Sequence, residues 1–122
     1  MANIVALDAD GLIHETLIGN QTTDTIDQLN TKAAAVIAEL REQHPDAGLR
    51  FLVDVHQVGS QTLGARQTAA RFITTMKFEK IAVFGADDYL NGVINLIISA
   101  TQRSDSVKLF KDEASARAWL VA

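Results

Sequence analysis

Between Phe78 and Leu120 the chain writes two strand-then-helix units in succession, FEKIAVFGADDYLNGVINLIISA and VKLFKDEASARAWL. In each, a short apolar run gives way to acidic residues and then to apolar positions at helical spacing. A buried strand feeding a crossover helix has this pattern. Repeated, such units build a parallel sheet with helices on its faces, which makes the chain an α/β protein.

The upstream half fills in the remaining elements. Ile4 to Leu7 and Leu12 to Ile18 are β-branched and leucine-rich runs separated by Ala9-Asp10-Gly11. An Asp-Gly pair favours the positive φ of a tight turn, so the two runs are expected to form an antiparallel hairpin. Thr22, Thr23 or Asp24 can cap the helix that follows, and Ile26, Leu29, Ala33, Val36, Ile37 and Leu40 mark its buried face. His44-Pro45 stops it. Leu49 to Val55 is apolar apart from Arg50 and Asp54, as suits a central strand covered on both faces. A second helix with Ala65, Ala69, Phe72, Ile73 and Met76 on one face follows, capped by Ser60 or Thr62. Lys80 to Gly85 is the fourth strand, Tyr89 to Thr101 the third helix and Val107 to Phe110 the fifth strand, with Asp112 capping a last helix through Trp119 and Leu120.

Composition narrows the function classes. The 122 residues, 48% hydrophobic and 21% charged with a single proline, read as one globular domain spanning 1–122. With a net charge of −4 and scattered Lys and Arg, counterion release cannot drive binding to phosphates, so no nucleic-acid partner is expected. The absence of cysteine removes disulfides, thiolate metal sites and cysteine nucleophiles. The start MANIVALDAD lacks the charged and apolar regions of a secretion signal, which points to the cytoplasm. The longest uncharged stretch, Tyr89 to Gln102, is too short to span a bilayer.

Three pieces of the chain resemble the SpoIIAA-like family, a branch of the STAS and SEC14-type domains found as small free-standing bacterial proteins. They are Gly19-x-x-Thr22-x-Asp24, then Phe78 through Gly85, and Val107 to Phe110 followed by Glu113-Ala114 and Ala118-Trp119-Leu120. The resemblance implies a mixed sheet of four to five strands with an antiparallel first strand and about four helices. STAS domains that act as anti-sigma-factor antagonists carry Asp-Ser-Ser-Gly-Leu-Gly after the central strand, where a serine accepts phosphate. This chain has Gly59-Ser60-Gln61-Thr62-Leu63-Gly64, which keeps the Leu-Gly ending and lacks the Asp-Ser-Ser-Gly core. Under a phospho-switch reading, Ser60 or Thr62 is the acceptor, at a helix amino terminus that favours anions.

In open α/β sheets ligands gather at the carboxyl ends of the strands, which directs attention to Asp54 through Thr62 and to Gly85 through Asp88. Asp54 and His56 point the same way on a strand, so a carboxylate can orient an imidazole, with Gln57, Ser60 and Thr62 nearby. This pair is the basis for a small-enzyme reading, but no Gly-x-Ser-x-Gly elbow accompanies it. No metal is expected, because His14, His44 and His56 sit on different elements and Asp87-Asp88 suits a helix cap. No cofactor is expected, since neither phosphate-loop nor dinucleotide fingerprint occurs among the glycines.

The third helix stands out. Asn91, Asn95, Ser99 and Gln102 form a narrow polar stripe, while Leu90, Val93, Ile94, Leu96, Ile97, Ile98 and Ala100 cover most of the remaining surface. One sheet face cannot bury so much apolar surface, and something else is expected to cover it: a neighbouring helix, a second copy in a homodimer, a protein partner, or a lipid-like ligand. In the last case Phe72, Met76, Tyr89, Leu90, Val93, Ile94 and Ile97 line an apolar pocket, or the helices meet a membrane surface peripherally. The leading expectation is a non-enzymatic binding or regulatory domain of that kind. Tyr89 can stack on a ligand, whereas Trp119 is expected to anchor the last helix in the core.

Overall fold

The computed structural model describes residues 2–122. Its elements run β1 (Ile4–Leu7), β2 (Ile13–Gln21), α1 (Thr23–Gln43), β3 (Arg50–Gln61), α2 (Leu63–Thr75), β4 (Lys80–Phe84), α3 (Asp88–Thr101), β5 (Val107–Phe110) and α4 (Glu113–Val121). They form one five-stranded sheet in the order β1-β2-β3-β4-β5. β1 pairs with β2 antiparallel, and every later pairing is parallel. The α/β class, the antiparallel first strand and the helix count all follow the expectation from sequence.

Local chemistry sets the boundaries. Asp8 Oδ1 accepts from the backbone N–H of Asp10 and of Leu12, each at 3.0 Å, and Gly11 takes the positive φ of 78° that the hairpin turn needs. Each helix opens on a side-chain cap. Thr22 and Thr25 cap α1 reciprocally, Thr62 accepts from Ala65 N, Asp87 from Leu90 N and Asp112 from Ser115 N. Of the alternatives open in the sequence, Thr22 and Thr62 are the caps. Ser115 also holds the Asp112 carboxyl below its ordinary value, through its backbone N–H first and its side chain second.

The unbroken strand order dictates where the helices lie. Right-handed crossovers that always step the same way across a sheet leave their helices on one face. Accordingly Phe51, Val55, Ile81, Val83 and Val107 pack with Ile37 and Leu40 of α1 and with Leu90, Val93 and Ile98 of α3. The intervening residues Leu52, Ala82 and Phe84 face the other way, onto Ala116 and Leu120 of α4. β3 and β4 are thus buried on both sides, which is why they read as continuous apolar runs.

α4 is fastened at its carboxyl end by cations, as the helix dipole favours. Arg50 donates to the carbonyl of Leu120, and Lys80 Nζ donates to that of Trp119 at 2.7 Å. Trp119 packs against Phe110 with ring centres 5.6 Å apart, a core anchor as expected.

β2 and β3 run further than the apolar runs suggested. Their pairing continues to Gln21 and Gln61 through register shifts between Thr16 and Ile18 and between Gly19 and Gln21. At each shift β3 contributes an extra residue, and Gly19 has a φ of 79°. The segment from His56 to Gln61, which lies beyond the apolar run Leu49 to Val55 and lacks apolar continuity, is therefore bulged strand.

Candidate functional site

Between the sheet and helices α1, α2 and α3 lies a cavity of about 150 Å³. Its floor comes from the sheet, with Leu17, Phe51, Val53, Val55, Val58, Ile81, Val83 and Val107. Its roof comes from Ile26 and Leu29 of α1, Ala65, Ala69, Phe72 and Ile73 of α2, and Leu90, Val93, Ile94, Ile97 and Ile98 of α3. The excess apolar surface of α3 is largely accounted for in this way: Leu90, Val93 and Ile98 are buried, Ile94 and Ile97 turn onto the hollow, and Leu96 remains exposed.

The cavity wall is interrupted by polar side chains. Glu15 follows Ile13 on the core-facing side of β2 and precedes Leu17, and it is only 6% exposed. Desolvation pushes its carboxyl from an ordinary 4.5 up to about 8, so it is uncharged near neutral pH. Its Oε2 is buried without a hydrogen-bond partner. Gln61 donates through Nε2 to the carbonyl of Gly59 at 2.8 Å, which leaves Oε1 buried and unpaired. Arg66 reaches outward through Nη2 to the hydroxyl of Tyr89 at 3.5 Å, while its Nε is buried with no acceptor. Buried polar atoms are nearly always paired, so such atoms on three residues around one cavity are unusual. By contrast Gln21, also on the wall, is fully engaged with Asn3, Thr25 and the carbonyls of Ile18 and Gly19.

Of the residues expected to bind a ligand, the structure brings Phe72, Leu90, Val93, Ile94 and Ile97 together around the cavity. Met76 instead ends α2 and packs in the core, and Tyr89 stands outside at 70% exposure, in contact with Arg66. Asp54 and His56 do meet, with Asp54 Oδ1 2.6 Å from His56 Nδ1. The pair lies elsewhere, however: Asp54 is in register with Phe84, on the α4 side of the sheet. Gly85, at a φ of 92°, sits against the His56 backbone, where an added Cβ would lie 3.1 Å from its nitrogen. The two segments singled out from sequence do adjoin, and Val55, Val58 and Gln61 of the first line the cavity, whereas Asp54, His56, Gln57, Ser60 and Thr62 do not. Gln57 and Ser60 are exposed, and the Ser60 backbone N–H donates to Asn20 Oδ1. The Thr62 hydroxyl serves as the helix cap.

Sequence reasoning missed Glu15, Gln61 and Arg66. Glu15 had a signal: Ile13, Glu15 and Leu17 alternate, which puts a carboxyl on the apolar face of a strand. Arg66 had one too, since it shares a helix stripe with Ala69 and Ile73.

Among the described residues no helix is long and apolar enough to cross a membrane. No curated protein matches the chain significantly. A solved structure does: an uncharacterized protein of the DUF3478 family with a SpoIIAA-like fold, from Shewanella loihica PV-4. It superposes with a TM-score of 0.68 at 16% identity, covering 98% of this chain and 92% of that one. The SpoIIAA-like family model matches residues 12–121, every element from β2 to α4. The chain belongs to the SpoIIAA-like family.

Proposed function

We propose that this protein is a non-enzymatic binding domain that takes a small apolar or amphiphilic molecule into the cavity beneath α1, α2 and α3. The observation that carries this reading is the cavity itself, about 150 Å³ with walls that are almost wholly apolar side chains. Packed interiors hold few voids larger than a water molecule, and an unfilled one costs stability. A cavity of this size is comparable with an engineered apolar cavity of about 150 Å³ that stays dry and admits benzene. It fits a single ring or a short branched chain better than a long acyl tail. The SpoIIAA-like architecture supports a binding or regulatory role without naming a ligand.

The test is a titration of isotopically labelled protein with toluene, followed by amide chemical shifts. Saturable shifts concentrated on the cavity-lining segments of β3, α2 and α3 are expected. Shifts that are absent, or spread over the surface without saturation, would defeat the reading. Native mass spectrometry of freshly purified protein reports any retained cargo independently.

The outer face of α3 supports a second reading, self-association. Tyr89 and Leu96 stand two turns apart on that helix, 70% and 72% exposed. Sedimentation velocity over a concentration series is expected to show a dimer that Leu96→Glu dissolves, and an unchanged monomer at every concentration would count against it.

A further inference from the structure

The ligand-binding reading leaves open which molecule the cavity accepts, and its unpaired polar atoms restrict the answer. This inference rests on that reading and adds the chemistry of the ligand. Three side chains around the apolar wall each present an unsatisfied group. Arg66 Nε is a cationic N–H donor with no acceptor. Gln61 Oε1 is an acceptor with no donor, and its orientation is set because Nε2 is already committed to the Gly59 carbonyl. The Glu15 Oε2 is buried with no hydrogen-bond partner, and burial holds the carboxyl uncharged.

Leaving such groups buried and unpaired is costly, and the cost is recovered by whatever pairs with them. The formal charge they carry together is that of Arg66 alone, so the complement is an anion. A carboxylate meets a guanidinium N–H through a charge-assisted bond, the strongest type available here. Glu15, held uncharged by burial, sets no opposing charge on the cavity wall. The remaining need, a donor for Gln61 Oε1, is met by a hydroxyl or N–H group close to that carboxylate. The apolar walls then take the rest of the molecule.

We infer that the cavity is a receptor for a compact apolar carboxylic acid bearing a hydrogen-bond donor beside its carboxylate, with Arg66 taking the acid group and Gln61 the donor. Tyr89, whose hydroxyl is 3.5 Å from Arg66 Nη2, holds the outer end of the guanidinium and is a positioning residue.

The experiment uses the intact chain and three probes that share a ring and differ in their polar groups: toluene, phenylacetate and mandelate. Dissociation constants come from calorimetric or amide-shift titration. Phenylacetate is expected to bind roughly tenfold or more tighter than toluene, as a charge-assisted bond predicts, and mandelate tighter again. In Arg66→Leu phenylacetate falls to the level of toluene, while toluene binding persists and shows that the cavity is intact. In Gln61→Leu the preference for mandelate over phenylacetate disappears. If toluene binds and the acids bind no better, this inference is wrong while the cavity reading stands. If none of the three binds, both fail. The wild-type ranking alone decides the matter should a variant not fold.

Discussion

Asp54 holds His56 twice, accepting its backbone N–H at 3.0 Å and lying 2.6 Å from its ring Nδ1, both through Oδ1. The two residues flank the first bulge of β3, where the strand pairing shifts between Thr16 and Ile18. The backbone bond is the one that shapes the bulge, because it fixes the chain where the sheet ladder is interrupted. Asp54→Ala is therefore expected to lower unfolding free energy by about 1 to 2 kcal/mol, and His56→Ala by roughly half of that or less. Urea denaturation measures both, and a larger loss for His56→Ala would show that the ring, not the carboxylate, organises the turn.

Gly85 is held against the same bulge. Its φ of 92° and the 2.9 Å separation between an added Cβ and His56 Cβ leave no room for a side chain. Gly85→Ala is expected to cost about 2 kcal/mol or more, combining backbone strain with displacement of β3. A loss under about 0.5 kcal/mol in chemical denaturation would mean that the loop shifts freely, which the packing against His56 denies.

The Glu15 carboxyl gives the fold a distinctive pH dependence. Its proton is held up to about pH 8 in the folded state against an ordinary value of 4.5. Below the lower value both folded and unfolded forms are protonated and nothing is lost. Between the two values the unfolded chain releases a proton that the folded chain retains, so stability falls as pH rises. Glu15→Gln removes that slope. The variant's advantage over the parent should grow by roughly 2 to 3 kcal/mol between about pH 5.5 and pH 7.5, at 1.36 kcal/mol per unit. Parallel denaturation curves at the two pH values, with no change in the gap between the proteins, would place Glu15 in a wetter setting.

Filling the cavity should separate ligand binding from folding. Ala69 lies on the α2 wall. Ala69→Leu adds methyl groups to empty space and is expected to leave stability within about 1 kcal/mol of the parent or to raise it, while toluene binding is lost. Thermal melts together with the toluene titration check this. Strong destabilisation with binding retained would show that the added side chain is turned elsewhere.

Arg103 joins α3 to the end of α2. It donates to the carbonyls of Ile73, Met76 and Phe78 at 3.1, 3.0 and 3.4 Å, with its guanidinium carbon 4.0 Å from the Phe78 ring centre. Arg103→Met removes these bonds and keeps most of the aliphatic stem. A loss of about 2 to 3 kcal/mol is expected, since the carbonyls at that helix end lose their donor. Denaturation of the variant measures it, and an effect near zero would mean that water replaces the guanidinium without penalty.

Much of this architecture was legible because local rules and global pattern agree. The Asp10-Gly11 turn, the caps at Thr22, Asp87 and Asp112, and the two-sided apolar runs of β3 and β4 each point to the observed element. The far half of β3 was not legible, because a bulge is defined by pairing with β2 and leaves no apolar alternation in its own strand. The site was half legible for a related reason. The surplus of apolar side chains on α3 is written in residues 90 to 98, so its wall residues were found. The volume left between α3 and the sheet depends on how far apart the layers settle, which no single segment encodes. Asp54 and His56 drew attention as a chemical pair, but the pleat assigns them to the opposite side of the sheet from Phe51 and Val53.

The strand order β1 to β5 advances across the sheet without ever reversing. Doubly wound sheets open a cleft where their winding changes direction, and ligands enter there from solvent. A sheet wound in one direction has no such doorway. The hollow of this protein lies instead under the one-sided helix layer, so a guest is met by the side chains of α1, α2 and α3 and not by loops at the strand ends.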